Sequence, residues 1–301
     1  MKVADLKKAG SAWPTLSSSA GQPAGDSDTA LLSDAAFLSV RAIGKTYASR
    51  GSDPHEAIRE ISFDAREREF VCIVGPSGAG KTTLLRCLAG LLEPTKGSVH
   101  LGKRQVTAPP PEVAVVFQDY SRSLFPWLTV AGNVALPLKA KRLPRAERTK
   151  LVTESLSAVN LDGTGHRYPW QLSGGMQQRV AIARALAYQP KLLLMDEPFA
   201  SVDAQTRFEL EDLVLRVREE FGMSIVFVTH DIDEAVYLGD RIIALSKSPC
   251  VVTRDLPIDL GPARNQLETR ADPRFTKLRT EVLKLVTGQS APAASAAGAG
   301  H

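Results

Sequence analysis

Apolar residues along this chain come in two alternating rhythms. Phe70–Val74 (FVCIV) is a short continuous apolar run closed by Gly75, the pattern of a strand buried on both faces of a parallel sheet. Similar runs recur at Val113–Phe117, Lys191–Met195, Ser224–Val228 and Arg241–Leu245. Phe37–Tyr47 and Ile58–Asp64 read as earlier strands joined by a long loop. Between the runs the period changes to that of helices, over about Lys81–Leu91, stopped by Glu93-Pro94, and near Arg145–Val159, Gln177–Tyr188, Ala204–Phe221 and Asp231–Leu238. One more helix is expected over Asp272–Val286. Such strand–helix alternation predicts an α/β fold with a mainly parallel sheet. Residues 10–34 and 288–301 are dominated by small and polar types and read as flexible tails. No repeat is apparent, and no stretch reaches the ~18–20 apolar residues of a membrane span. The opening MKVADLKKAGSAWP has no apolar run of leader-peptide length, so any membrane role is expected to be peripheral.

Composition narrows this only a little. Of 301 residues 44% are apolar and 23% charged, which excludes collagen-like and wholly disordered classes. Lys and Arg number 37 against 33 Asp and Glu, a net +4 compatible with nucleic acid, phospholipid or nucleotide and selecting none of them. Cys72, Cys87 and Cys250 form no CxxC pair, which speaks against a disulfide framework or a zinc site and for a reducing cytosol.

Three segments carry chemistry. Gly75-Pro76-Ser77-Gly78-Ala79-Gly80-Lys81-Thr82 satisfies G-x-x-x-x-G-K-[ST] between an expected strand and an expected helix. Glycine lets the backbone approach phosphates closely, Lys81 can reach the β/γ-phosphates and the Thr82 hydroxyl can ligate Mg²⁺. Leu192-Leu193-Leu194-Met195-Asp196-Glu197 delivers two carboxylates at a strand end, Asp196 for Mg²⁺ and Glu197 to deprotonate a water, although the pair would also serve as an acidic helix cap. Leu172-Ser173-Gly174-Gly175-Met176-Gln177-Gln178 opens a helix whose free N–H groups suit a second phosphate, or is simply an N-cap Ser before an Ala-rich helix.

The order of these segments, with Gln118, Asp203 and His230, resembles the ATP-binding cassette ATPases, the nucleotide-binding subunits of ABC transporters, over roughly residues 37–250. The resemblance implies a P-loop ATPase core with a mainly parallel sheet, an N-terminal antiparallel β part and an inserted helical subdomain. By position, it implies an ATPase domain over 35–262 with its helical part at about 119–180, a tail over 1–34, and a helix and tail over 263–301. Tyr47 looks like the aromatic that stacks on adenine, and Gly75, Pro76, Ser77, Gly78, Ala79, Gly80, Lys81, Thr82 and Thr83 like the phosphate cradle. Gln118 resembles the residue that senses Mg²⁺ and the attacking water, with Thr82 and Asp196 completing the metal set. Glu197 resembles the general base, and His230 the switch histidine that grips the γ-phosphate. Ser173, Gly174 and Gly175 would meet ATP bound to an opposite subunit, and Asp203 would lie in the loop coupling the two sites. Met176 stands where the broad family usually has Gln, as in importer branches, and Ala200-Ser201-Val202-Asp203 lacks the common Ser or Gly at its first position.

A narrower resemblance is carried by Phe117-Gln118-Asp119, Leu124-Phe125-Pro126-Trp127-Leu128-Thr129-Val130 with Asn133-Val134, Asp233–Arg241 and Ser246–Pro249. It is to the importer branch for nitrate, sulfonates and taurine. The implied protein is an ATPase with ATP and Mg²⁺ as cofactors, working as a homodimer or pseudo-dimer with integral membrane permease subunits and, indirectly, a solute-binding protein. It would sit peripherally on the cytoplasmic face of the membrane and take no nucleic acid. Phe125–Leu128 then reads as an apolar patch for a membrane subunit's helix, or as core packing. The basic segment 139–150 reads as a solvated helical face, or as a lipid or partner contact. The competing expectation is a soluble cassette ATPase acting on nucleic acid or ribosomes; those usually carry two cassettes or a coiled-coil insertion, and this chain shows one phosphate loop and no heptad run. A small-molecule kinase would leave Leu172–Gln178 unexplained.

Overall fold

The computed structural model describes residues 36–49, 52–119 and 123–288. The tail expected over 10–34, and all but Gly288 of that expected over 288–301, lie outside the described residues. Strands β1 (Leu38–Ser49) and β2 (Ser52–Ala65) run antiparallel, from Leu38 opposite Ala65 to Ser49 opposite Ser52. Apart from residues 50 and 51, which lie outside the described residues, the long loop expected between Tyr47 and Ile58 is therefore strand. Its polar residues, with Pro54, hide the pattern because the ladder slips register at four places, and each slip breaks the alternation that marks a strand in sequence. After β3 (Phe70–Val74) and α1 (Lys81–Leu88) the chain returns through β4 (Lys96–Leu101) and β5 (Arg104–Gln105), which extend the antiparallel part beside β1. Helix α1 stops three residues short of Leu91. Gly90 turns left-handed (φ 67°) and the N–H groups of Leu91 and Leu92 both donate to Arg86 O, closing the helix before Pro94 is reached.

The remaining strands are β6 (Val113–Val116), β7 (Leu192–Asp196), β8 (Ser224–Thr229), β9 (Arg241–Leu245) and β10 (Cys250–Pro257). Among the described residues the sheet order is β5-β4-β1-β2-β10-β9-β3-β8-β7-β6. From β9 to β6 every pair is parallel, so the sheet is mixed, with its antiparallel part at one end. Alternate residues of one strand enter opposite layers. Phe70, Cys72 and Val74 pack with Phe199, Phe227 and the helices of one face, while Val71 and Ile73 pack with Leu84, Leu85 and Leu88 of α1 and with β1 and β2 on the other. Covering on both faces is what makes the run FVCIV uniformly apolar.

Helices α2 (Val130–Ala135), α3 (Arg145–Ala158) and α4 (Gly174–Ala187) pack on one another beside the sheet. Fully buried Asn133 ties α2 to the preceding turn, its side-chain amide donating to the Phe125, Leu128 and Thr129 carbonyls and its Oδ1 accepting from Phe125 N–H. Helix α4 begins at Gly174, three residues before the expected start, because Ser173 caps it in spite of the poor helix propensity of two glycines. Helices α5 (Ala204–Phe221) and α6 (Ile232–Leu238) follow β7 and β8, and α7 (Glu268–Ala271) and α8 (Pro273–Thr287) end the described chain, α8 packing on α6. No helix among the described residues is long and apolar enough to cross a membrane.

Candidate functional site

Parallel pairing puts the ends of four strands at one level. Val74 is opposite Thr229, Asp196 opposite Val228, and Val116 opposite Met195. The residues that follow, Gly75, Glu197, His230 and Gln118, are thereby delivered to the carboxyl edge of the sheet, where open α/β folds bind ligands. The sequence pattern anticipated this edge; the register is what brings the four together.

The loop Gly75–Gly80 joins β3 to α1 through glycines at two backbone positions that L side chains rarely adopt, Gly78 (φ 74°) and Gly80 (φ 90°). A Cβ on Gly80 would also sit 3.1 Å from Ala57 O and 3.3 Å from an Ile58 carbon, so the loop is pressed against β2. Lys81, only 5% exposed, donates to the carbonyls of Gly75 (2.9 Å) and Pro76 (3.1 Å), which holds its ammonium inside the curve of the loop. Thr82 Oγ1 donates to Asp196 Oδ1 at 3.2 Å. Burial raises the Asp196 carboxyl above its ordinary range, and the Thr82 hydroxyl opposes that rise. A hydroxyl and a buried carboxylate side by side are hard oxygen donors, a set that fits magnesium.

Glu197 is where the site converges. Its Oε2 meets His230 Nδ1 at 2.9 Å and accepts from Gln118 Nε2 at 3.3 Å, and its Oε1 lies 3.5 Å from the Lys81 ammonium. Its backbone is left-handed (φ 43°), which is costly for a side-chain-bearing residue, and its N–H donates to Val228 O at 2.8 Å. From this turn the carboxylate reaches Lys81 at the end of the phosphate loop as well as Gln118 and His230. Tyr47 lies at the far end of β1, 38% exposed, its hydroxyl 3.1 Å from Thr83 Oγ1 and the Lys45 ammonium 5.6 Å from its ring centre. Ser77 and Ala79 complete the loop, and Ala79 N–H donates to Pro76 O.

The other expected residues stand apart. Ser173 accepts from Met176 N–H as the cap of α4, and no hydrogen bond or ion pair among the described residues links Ser173, Gly174 or Gly175 to Gly75–Thr83. Asp203 caps α5, accepting from the N–H (2.9 Å) and hydroxyl (2.6 Å) of Thr206, bonds that hold its carboxyl below the usual range. Phe125 and Trp127 pack ring to ring at 5.2 Å with Trp127 69% exposed, which corrects the core-packing alternative for that residue. In the basic segment Lys141 departs from a solvated face, since its ammonium bonds Tyr188 O and lies 4.3 Å from the Tyr188 ring centre.

Nothing in the sequence pattern marks the support beneath His230. Thr229 Oγ1 donates to buried Glu234 Oε2 at 2.6 Å, and Asp231 N–H donates to Thr229 Oγ1 at 2.9 Å. Burial pushes the Glu234 carboxyl up to about 7; Asp231 and Glu211 add to the rise, and the Thr229 bond and Arg207 oppose it. A carboxyl raised in the folded state gives stability at low pH that is lost as pH climbs towards 7 and the buried charge forms. Glu234→Gln keeps the oxygen that accepts from Thr229 and removes the titration. The melting temperature of the variant relative to the parent should therefore rise between about pH 5 and about pH 8. A difference constant over that range would show that Glu234 titrates normally.

The family model described as "ABC transporter" matches residues 58–200. The bicarbonate transport ATP-binding protein CmpC of Synechococcus elongatus is 43% identical over 256 residues, 84% of this chain but 38% of CmpC, so the chain spans well under half of that relative. The nitrate import ATP-binding protein NrtD of the same organism is 40% identical over 259 residues, covering 85% of this chain and 93% of NrtD. A solved dimeric structure of the ATP-binding cassette MJ0796, in a post-hydrolysis state with ADP and Pi, is 36% identical, with a TM-score of 0.65 over 73% of this chain and 98% of that one. A relative at this identity, covered almost end to end, together with a matching fold and phosphate loop, decides the matter: the chain belongs to the family of ABC transporter ATP-binding proteins.

Proposed function

We propose that this protein hydrolyses ATP as one half of a dimer and so drives import of a small anionic solute, such as nitrate, sulfonate or taurine, through separate membrane subunits at the cytoplasmic face of the membrane. The observation that carries the reading is the meeting of Lys81, Gln118 and His230 on the Glu197 carboxylate at the mouth of the phosphate loop. Lys81 exchanges the loop carbonyls and Glu197 for phosphate oxygens of ATP, and Tyr47 stacks on the base. Magnesium, held by Thr82 and Asp196 with Gln118 near, would supply charge neutralisation at the phosphates. Glu197, released by Lys81 but still held by Gln118 and His230, takes the proton of a water lined up behind the γ-phosphate. His230 presents its other ring nitrogen to the transferring phosphoryl group. Because Ser173–Gly175 make no bond to the loop of their own chain, we assign them to the ATP of a second copy, with Asp203 between the two sites. The relatives CmpC and NrtD are named for bicarbonate and nitrate, which supports an anion as the cargo. Purified protein with Mg-ATP should release phosphate at a rate rising faster than linearly with protein concentration, and Lys81→Ala should release none. A strictly linear dependence would remove the dimer from the reading.

The pair Phe125–Trp127 is the proposed seat for a membrane subunit, being exposed and covalently close to Gln118. Trp127→Ala removes mainly solvated surface, so the melting temperature and soluble ATPase rate should stay near parental, the rate within about threefold. Co-purification with the membrane subunits should fall. Undiminished assembly would move the interface elsewhere.

A further inference from the structure

We propose that Arg207 is a positioning residue that fixes the His230 loop to the Asp203 loop, so that the face of the subunit serving a partner's ATP and the histidine serving its own ATP move together. This rests on the dimeric ATPase reading above. The chain of contacts starts at α4, where a Cβ on Gly175 would collide with the Thr206 methyl, so α4 and the first turn of α5 are already in van der Waals contact. Thr206 is held by Asp203 through both its N–H and its hydroxyl. The next residue, Arg207, donates its N–H to Asp203 O at 2.9 Å and sends its guanidinium across to the segment after β8. There Nη1 donates to Asp231 Oδ2 at 3.0 Å, and Nε lies 3.5 Å from Glu234 Oε1.

Those two carboxylates flank the histidine. Asp231 caps α6 through Oδ1, which accepts from the N–H groups of Asp233 (2.8 Å) and Glu234 (3.2 Å), while Glu234 accepts from Thr229 on the other side of His230. The backbone of His230 is thus pinned between Thr229 and Asp231, and its ring reaches Glu197 from that mount. Nearby Glu211 is engaged by Arg270 and Asp233 by Arg279, so among the described residues Arg207 is the cation paired with Asp231 and Glu234. Arg207 Nε is buried with no hydrogen-bond partner, although the Glu234 oxygen is close by. The link is therefore one full hydrogen bond to Asp231 and one ion pair to Glu234.

The test is kinetic, on the full chain with Mg-ATP. Arg207→Ala should lower kcat about tenfold or more while KM for ATP stays within about threefold, because no nucleotide contact is touched. Arg207→Lys, which keeps a charge but not the fork of donors, should recover part of the loss. Arg207→Ala placed on His230→Ala should add almost nothing, since both act through one group. An unchanged kcat in Arg207→Ala, or a loss that multiplies in full with that of His230→Ala, would overturn the proposal. Should Arg207→Ala fail to fold, Arg207→Lys and Asp231→Asn carry the same cycle, with the same criteria. A parent that hydrolyses no ATP would instead sink the reading on which the proposal rests, and the proposal with it.

Discussion

Replacing Glu197 by Gln should cut ATP turnover by ~10²–10⁴-fold, equivalent to about 3–5.5 kcal/mol of barrier at 1.36 kcal/mol per tenfold, and leave ATP binding nearly intact. The carboxylate does not belong to the phosphate cradle: its partners are Gln118, His230 and the edge of Lys81. Gln retains the shape and one acceptor oxygen for them but cannot take a proton from water. The left-handed backbone at this residue is the same for Glu and Gln, and Glu197 N–H still bonds Val228 O, so folding should be unaffected. Removing one negative charge per site from a closed dimer also favours closure. Lys81→Ala should behave in the opposite way, losing nucleotide and dimer together, because Lys81 is the cation around which Gly75 and Pro76 curl. Near-parental turnover by Glu197→Gln would transfer the base to a substrate-assisted route leaning on His230.

The second large effect is expected at Ser173–Gly175, the signature segment assigned above to the ATP of a second copy. Ser173→Arg should abolish turnover although Ser173 touches nothing in its own phosphate loop, and the isolated subunit should remain folded, because the loss of one N-cap costs only about 1 kcal/mol. Lys81→Ala should be equally inactive alone. Mixed, the two should regain activity. In a heterodimer one composite site pairs the defective loop with the defective signature, and the other pairs an intact loop with an intact signature. Recovery of up to about half the parental rate per heterodimer is the expected ceiling, if the two sites act independently. Ser173→Arg as active as the parent would mean that each chain hydrolyses ATP alone.

Why the site was so legible in sequence, and its support was not, follows from the range of the forces involved. Phe70–Val74 and Leu192–Asp196 are uniformly apolar because both faces of the sheet are covered, and each delivers its chemistry within one or two residues of the strand end. Strand, loop and function are local there, so Lys81, Asp196 and Glu197 could be read directly. The β1–β2 ladder is hidden in sequence because bulges destroy alternation, and Lys96–Leu101 because as KGSVHL its exposed half is polar. Asn133, Arg207 and Glu234 are ordinary polar letters in sequence. Their meaning comes from partners brought near only by the fold, as with Arg207 and Asp231, 24 residues apart and joined at 3.0 Å. The rise at Glu234 likewise depends in part on Glu211 and Arg207, which only the fold brings near it.

The central claim is that two copies close around ATP and that hydrolysis reopens them. It is tested most directly by the mass in solution of Glu197→Gln, measured by light scattering with ATP and magnesium and again with ADP. The account predicts twice the 32.4 kDa chain mass with ATP and a single chain with ADP, and a single chain for Lys81→Ala under both conditions. A mass that ignores the nucleotide, whether one chain throughout or two, would contradict it.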